Sequence, residues 1–272
     1  MLISFLNEDA PSGDITSESV VENELCRARI IARQEGVVAG LDEAAILFDA
    51  QGVSMEISVK DGSEVDRGTI LASLGGHARS ILFVERTALN IIGRMSGIAS
   101  MTHRIQSVLD RIQPGCKIAS TRKTAPGLRL LDKKAVVLGG GYAHRITLSD
   151  GVMIKDNHLI LVPLETAIHR ARAHIIKKKI EVEVETPEEA LVAARAGADI
   201  LLLDNMSPGI LKKTLSLLKE ADLREFPTIE VSGGITEQNI PNYALLGVDY
   251  ISMGAITHSV RNFDVSLEII RD

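Results

Sequence analysis

Four cations stand out in a chain of net charge -6: Arg122 and Lys123 in "STRKTAPG", Arg145 in "GGGYAHR" and Lys155 in "MIKDNH". Guanidinium forks hold carboxylates and phosphates from two directions at once, and an ammonium adds a point charge. Such a cluster calls for a polyanionic substrate. Two carboxylates, Glu183 and Asp204, follow in "EVEVET" and "LLLDN". Among phosphates, carboxylates hold Mg²⁺ or sugar hydroxyls; away from them they make structural ion pairs. Small residues in "EVSGGI" (Ser232, Gly233, Gly234) and "ISMGAI" (Gly254) let bare backbone N–H groups approach a phosphate. No His/Cys group has zinc spacing, and no Gly-x-Ser-x-Gly or Cys/His pattern offers a covalent nucleophile. Positioning and electrostatics are left to carry the reaction. The "GGGYAHR" stretch lacks both the Gly-Lys-Ser/Thr ending of a phosphate loop and a dinucleotide fingerprint, so its glycines are read as turning His144 and Arg145 into a pocket.

These residues need a frame that brings distant positions together. After Pro114, short apolar strands alternate with helical stretches: 116–120, 151–154, 179–184, 199–203, 228–231 and 249–253, with helices such as "PEEALVAARAGA" and "PGILKKTLSLLKEA" between them. This alternation predicts a parallel sheet, either doubly wound or closed into a barrel. Polar residues fall at the carboxyl end of every strand: 121–124, 155–158, Glu183 and Glu185, Asp204-Asn205, Ser232-Gly233-Gly234, and Gly254. In a barrel those ends meet at one mouth, and that favours the barrel.

The preceding part of the chain reads differently. From Arg27 to about Gly76, β-branched runs with Asp-Gly and Arg-Gly turns surround the helix "LDEAAILFDA". The segment "VKDGSEVDRGTILASL" resembles a biotinyl or lipoyl carrier hammerhead without the carrier lysine. Residues 78–110 carry helical periodicity, with a break expected at Ser96-Gly97, so two packed helices are predicted. Glu85-Arg86 sits awkwardly on that apolar pattern and needs a partner or a ligand. Two separated cysteines, Cys26 and Cys116, fit a reducing compartment. The first residues lack a basic signal region, and no apolar run approaches the ~18 residues of a membrane span. A cytoplasmic, unprocessed protein is expected. Net acidity with 3% aromatic residues speaks against nucleic acid as a partner, and Lys177-Lys178-Lys179 reads as the solvated end of a helix.

The motifs "EDAPSGDIT", "ERTALN", "TRKTAPGLRLL", "GGGYAHR", "DGVMIKDNH", "EVEVET", "LLLDN", "VSGGI" and "GVDYISMGAITHS" occur in the order found in the quinolinate phosphoribosyltransferase family. The chain resembles that family along nearly its whole length. The resemblance implies an α/β N-terminal domain of hammerhead type (1–112) and an incomplete, seven-stranded TIM-like barrel (113–263), with residues 264–272 returning to the first domain. It implies transfer of a phosphoribosyl group from phosphoribosyl pyrophosphate to the ring nitrogen of quinolinate, with Mg²⁺ and no organic cofactor. Loss of the 2-carboxylate then gives nicotinate mononucleotide, in the synthesis of NAD. By motif, Arg122, His144, Arg145 and Lys155 bind the acceptor carboxylates, and Lys123 lies between acceptor and donor. Glu183 and Asp204 hold ribose hydroxyls and metal, with Asp156 a further metal candidate. The catalytic set is then Lys123, Glu183 and Asp204. Ser232, Gly233, Gly234, Gly254 and His258 take the 5′-phosphate, and Arg86 reaches the site of a neighbouring subunit in a homodimer. One position departs from the pattern: Ala143 stands where the family has Asn. The alternatives are a related enzyme for another carboxylated acceptor, as in the molybdenum-transport-associated relative, or a non-catalytic ligand-binding paralogue.

Overall fold

The computed structural model describes residues 1–175, 177–225 and 227–270. In chain order the elements are α1 (Leu2–Asp9), α2 (Ile15–Val20), β1 (Leu25–Ala32), β2 (Gly36–Val37), α3 (Leu41–Asp49), β3 (Ser54–Ile57), β4 (Glu64–Val65), β5 (Ile70–His77) and α4 (Ala78–Ile112). Then follow β6 (Lys117–Ala119), α5 (Arg129–Leu138), β7 (Val152–Ile154), α6 (Asp156–Leu159), α7 (Leu164–His174), β8 (Ile180–Val184) and α8 (Pro187–Arg195). The last are β9 (Ile200–Asp204), α9 (Pro208–Glu220), β10 (Thr228–Ser232), α10 (Ile240–Ala244), β11 (Tyr250–Ser252), α11 (Ala255–His258) and β12 (Val265–Ile270). They form two compact units, one of Met1–His103, Thr124–Gly140 and the segment from Ala255 onward, the other of Arg104–Lys123 and Gly141–Gly254.

The first unit is built on an antiparallel sheet in the order β12-β1-β5-β3, with a small β2-β4 ladder beside it. Alternate β1 positions Ala28, Ile30 and Ala32 are fully buried, the pattern of a sheet with one face on a core. The expected break at Ser96-Gly97 is absent, and α4 runs unbroken from Ala78 to Ile112. Both residues are small because other backbone comes close. Ser96 Oγ receives the Ala39 N–H at 2.8 Å and donates to the Ala39 carbonyl. A Cβ on Gly97 would stand 3.1 Å from the Arg261 carbonyl carbon. Close approach by a neighbouring segment, rather than a helix stop, explains the pair.

The second unit carries the six parallel strands read from the alternation, in the order β6-β11-β10-β9-β8-β7. Its outward positions Ile180, Val182, Val184, Leu201, Leu203, Ile229, Val231 and Ile251 are at most 1% exposed. Helices enter at defined points: Thr186 and Glu189 form a capping box ahead of Pro187, and Ser207 caps α9 ahead of Pro208. The seventh stave of the barrel is a single residue. Tyr142 forms a parallel bridge with Ala119, its N–H donating to Ile118 O at 2.8 Å and its carbonyl accepting from Ser120 N at 3.0 Å. Between Tyr142 and β7 no strand pairing occurs among the described residues, which leaves the barrel open along that seam.

Candidate active site

Strand register decides what faces inward. Met153 pairs with Glu181, Glu183 with Leu202, Leu202 with Glu230, and Asp204 with Ser232. In parallel strands paired residues share a face, so these side chains form successive layers inside the sheet, opposite the apolar outer set. The inner face is polar, and the near-continuous apolar reading of these strands missed that alternation. At their carboxyl ends lies a cavity of about 420 Å³ lined by Arg122, Lys123, Arg145, Lys155, Glu183, Asp204 and Ser232, with Met153 and Leu202 as its apolar part.

Most of the expected site residues meet there. Gly233 and Gly234 continue directly from Ser232, and Gly254 follows β11 by two residues. Asp156 is exposed at the start of α6 and does not line the cavity; Glu185 is exposed beyond β8. Arg86, exposed on α4, and His258, exposed on α11, belong to the first unit. Glu85 beside Arg86 is partly buried, and burial raises its carboxyl above the usual range despite the attraction of Arg86. The lysines 177–179 are exposed in the turn between α7 and β8.

The guanidinium group of Arg145 is held but not saturated. Arg145 donates through one terminal nitrogen to Gly151 O at 3.1 Å and through the other to Met153 Sδ at 2.9 Å. Its Nε, like that of Arg122, is buried without a hydrogen bond. Burial lowers the Arg145 pKa, with Arg122 adding to the effect and Glu181 opposing it. A buried, unpaired N–H on a cation costs free energy that an arriving anion returns. Lys155 forms an ion pair with Glu183 across β7 and β8.

The His144 ring is engaged on both sides by the protein. Its backbone is left-handed, at φ 53°. Nδ1 accepts the Arg145 N–H at 2.7 Å, and Nε2 lies 3.2 Å from both Glu181 Oε2 and Glu230 Oε2. Burial works against a charged ring here, but hydrogen bonds and charge from the two glutamates outweigh it and raise the pKa to about 9. His144 thereby fixes the turn that presents Arg145. Glu181 and Glu230, each 3% exposed in the side chain, were not found from the sequence. Their signal was present: both sit at inward, alternate positions of "IEVEV" and "TIEVS". Ala143 contributes its carbonyl, which accepts from Ser120 Oγ at 3.0 Å, so this anchor of the turn does not depend on the side chain.

At the turn after β10, Gly233 has φ 88° and Gly234 φ 61°. Asn205, itself at φ 53°, donates its N–H to Ser232 O at 2.9 Å and its side-chain Nδ2 to Asp204 Oδ2 at 2.6 Å. The turn is therefore tied to the carboxylate. Glu183 and Asp204 bring hard oxygen donors to one cavity, a donor set that fits Mg²⁺.

A parallel α/β sheet that gathers four cations, two carboxylates and a glycine turn at its strand ends defines a small-molecule enzyme acting on anions. Residues 14–96 match the N-terminal domain of quinolinate phosphoribosyl transferase and residues 98–268 its C-terminal domain, and the chain belongs to that family. It is 45% identical over 267 residues to a probable carboxylating nicotinate-nucleotide pyrophosphorylase of Methanothermobacter thermautotrophicus, covering 97% of this chain and 96% of that one. The corresponding Bacillus subtilis protein is 42% identical, with 99% and 92% covered. Among solved structures, the Francisella tularensis nicotinate-nucleotide pyrophosphorylase superposes with a TM-score of 0.93 at 35% identity, covering 99% of this chain and 94% of that one.

Proposed function

We infer that the protein transfers the phosphoribosyl group of phosphoribosyl pyrophosphate to quinolinate and decarboxylates the product to nicotinate mononucleotide. The observation that carries this reading is the pair of buried, unsatisfied Nε–H groups of Arg122 and Arg145 in the same cavity as Lys155 and Lys123. Two guanidinium groups and an ammonium match an acceptor with two adjacent carboxylates, and family membership supplies the reaction. Arg122, Arg145 and Lys155 orient the acceptor ring; His144 acts on it through Arg145. Lys123 stands toward the donor, and Ser232, Gly233, Gly234, Gly254 and His258 take its 5′-phosphate. When bound, Mg²⁺ neutralises the departing pyrophosphate; Asp204 and Glu183 would hold it, with ribose hydroxyls shared between them. Charge developing at ribose C1 is then faced by fixed groups, the arrangement that lowers a barrier without reorganisation.

The working unit is a homodimer in which Arg86 of one copy completes the mouth of the other. Its exposure on α4 beside the partly buried carboxyl of Glu85 supports this. The compartment is the cytoplasm; both cysteines are free thiols, and no helix among the described residues is long and apolar enough to cross a membrane.

The test is formation of nicotinate mononucleotide from quinolinate, phosphoribosyl pyrophosphate and Mg²⁺ by the purified protein. Absence of turnover by folded protein overturns the reading. Ala143 favours including other pyridine carboxylates in the same assay, and a better acceptor among them would reassign the substrate.

A further inference from the structure

A second pocket, of about 250 Å³, lies at the open seam, where Tyr142 and the β7 residue Val152 both line it. Four cationic side chains and two carboxylates surround it: Arg145, Lys177, Lys178 and Lys179 against Asp150 and Glu181. The carboxylates are already engaged. Asp150 accepts the Ile146 and Thr147 N–H groups, both at 2.8 Å, and the Thr147 hydroxyl at 2.9 Å, while Glu181 Oε2 meets His144 Nε2 at 3.2 Å. The three lysines are exposed and enter no ion pair among the described residues; Lys178 draws on Asp150 only at longer range. In a chain of net charge -6, this pocket holds an excess of positive charge.

Arg145 joins this pocket to the mouth. It lines both, donating through one terminal nitrogen to Gly151 O in the wall of the seam pocket and through the other to Met153 Sδ in the wall of the mouth. Its Nε–H is buried without a hydrogen bond. We propose that the seam pocket binds a small phosphate-type polyanion, and that this anion opposes the acceptor by sharing the Arg145 guanidinium with it. The proposal rests on the reading of Arg145 as a group that holds an acceptor carboxylate.

Size and charge set the ligand class. At about 250 Å³ the pocket falls below the roughly 300–1,000 Å³ of cavities that enclose drug-sized ligands, so it fits inorganic phosphate or pyrophosphate better than a whole nucleotide. Ammonium groups act as point charges, and three of them on one turn suit the several oxygens of a phosphate. Antagonism follows from the shared cation. Two anions on either side of one guanidinium repel each other through an interior that screens weakly, and a donor aimed at one is withdrawn from the other. By linkage the effect is mutual: the factor that the anion takes from acceptor affinity is the factor that the acceptor takes from anion affinity. Pyrophosphate is a product of the inferred reaction, so its binding here would hold back a new acceptor while product is abundant. Inorganic phosphate offers the same oxygens from another source.

The test is calorimetric titration of pyrophosphate and, separately, of inorganic phosphate into the purified protein in Mg²⁺-free buffer, with and without saturating quinolinate. The comparison protein is the triple variant Lys177→Gln, Lys178→Gln, Lys179→Gln, whose changes lie on an exposed turn outside the mouth. The unaltered protein should show one lysine-dependent anion site per chain, which quinolinate weakens about tenfold, within the usual range of coupling between sites. In steady state, with free Mg²⁺ held constant and saturating phosphoribosyl pyrophosphate occupying the mouth, the same anion should raise the KM for quinolinate about as much. The triple variant should lose both effects and keep its kcat and its KM without added anion. Whichever of the two anions binds tighter identifies the source. Anion binding that persists unchanged in the triple variant belongs to the mouth and overturns the proposal. So does lysine-dependent binding that quinolinate leaves untouched, or a set of several weak sites in place of one. Should the triple variant not fold, Lys178→Gln carries the same comparison. If the unaltered protein neither binds nor turns over quinolinate, the functional reading fails and takes the antagonism with it, whereas the anion site stands or falls on its own titration.

Discussion

Gly233 and Gly234 are adjacent and both left-handed, yet the structure separates what a methyl group would do at each. At Gly233, φ is 88° and an added Cβ would lie 2.6 Å from the Asn205 backbone nitrogen and 2.5 Å from its Cγ. At Gly234, φ is 61° and nothing stands within 4 Å. The left-handed conformation alone costs an L-residue roughly 1–2 kcal/mol. Crowding against backbone, which cannot swing away as a side-chain tip can, adds roughly 1–3 kcal/mol. Gly234→Ala should therefore lose roughly 1–2 kcal/mol and Gly233→Ala roughly 2–5 kcal/mol. In a chain of this size the larger loss corresponds to a melting shift on the order of 5–15 °C. The displacement also has a chemical address. Asn205 bonds both Ser232 O and Asp204 Oδ2, so pushing it away disturbs the glycine turn and the carboxylate together. Gly233→Ala should weaken phosphoribosyl pyrophosphate binding, measured by calorimetry with Mg²⁺, more than Gly234→Ala does. Equal losses of stability and affinity in the two variants would refute the crowding argument and leave backbone angle as the whole effect.

Arg145→Ala should lower kcat/KM for quinolinate by tens-fold to thousands-fold, the roughly 2–5 kcal/mol of an unpaired buried charge, with donor binding little changed; equal losses for both substrates would show Arg145 to be structural. Arg86→Ala should leave a folded dimer with impaired acceptor use, and mixing it with Lys155→Ala should restore activity if the mouth is shared between copies. The His144 cluster binds a proton more tightly folded than unfolded, because its pKa of about 9 lies above the usual value of 6.5. Its contribution to stability is complete below the unfolded value and fades as pH rises through about 9, so melting temperatures from pH 6 to 10 should fall in that window and His144→Gln should flatten the fall. Burial pushes the Cys116 thiol up to about 12 and leaves it 1% exposed, so native protein at pH 8 should label at Cys26 alone, with Cys116 reacting only after unfolding.

The second unit was legible because its strands are short, apolar on the outside and separated by helices with caps, and because polar residues at strand ends are visible as a run in one dimension. Arg122, Lys123, Lys155, Glu183, Asp204 and Ser232 were found in that way and share one cavity. Glu181 and Glu230 were not, because a glutamate inside a β-run reads as a solvated face until the sheet is known to curl. In an open sheet, position 181 could point to water; in this one it pairs with Met153 and Ile200 and faces inward. The misreading of Ser96-Gly97 has the same root. Small residues in a helical pattern signal either a stop or a close neighbour, and here the neighbours, Ala39 and Arg261, lie 57 and 164 residues away in sequence. "GGGYAHR" combines both difficulties. Its glycines do shape the backbone, but its tyrosine supplies the barrel's seventh stave by one bridge and its histidine, which also lines the cavity, sets Nε2 between two glutamates. Arg145 is the cation of this stretch that lines the cavity, and its buried, unpaired Nε is a property of three-dimensional packing that residue type alone does not encode.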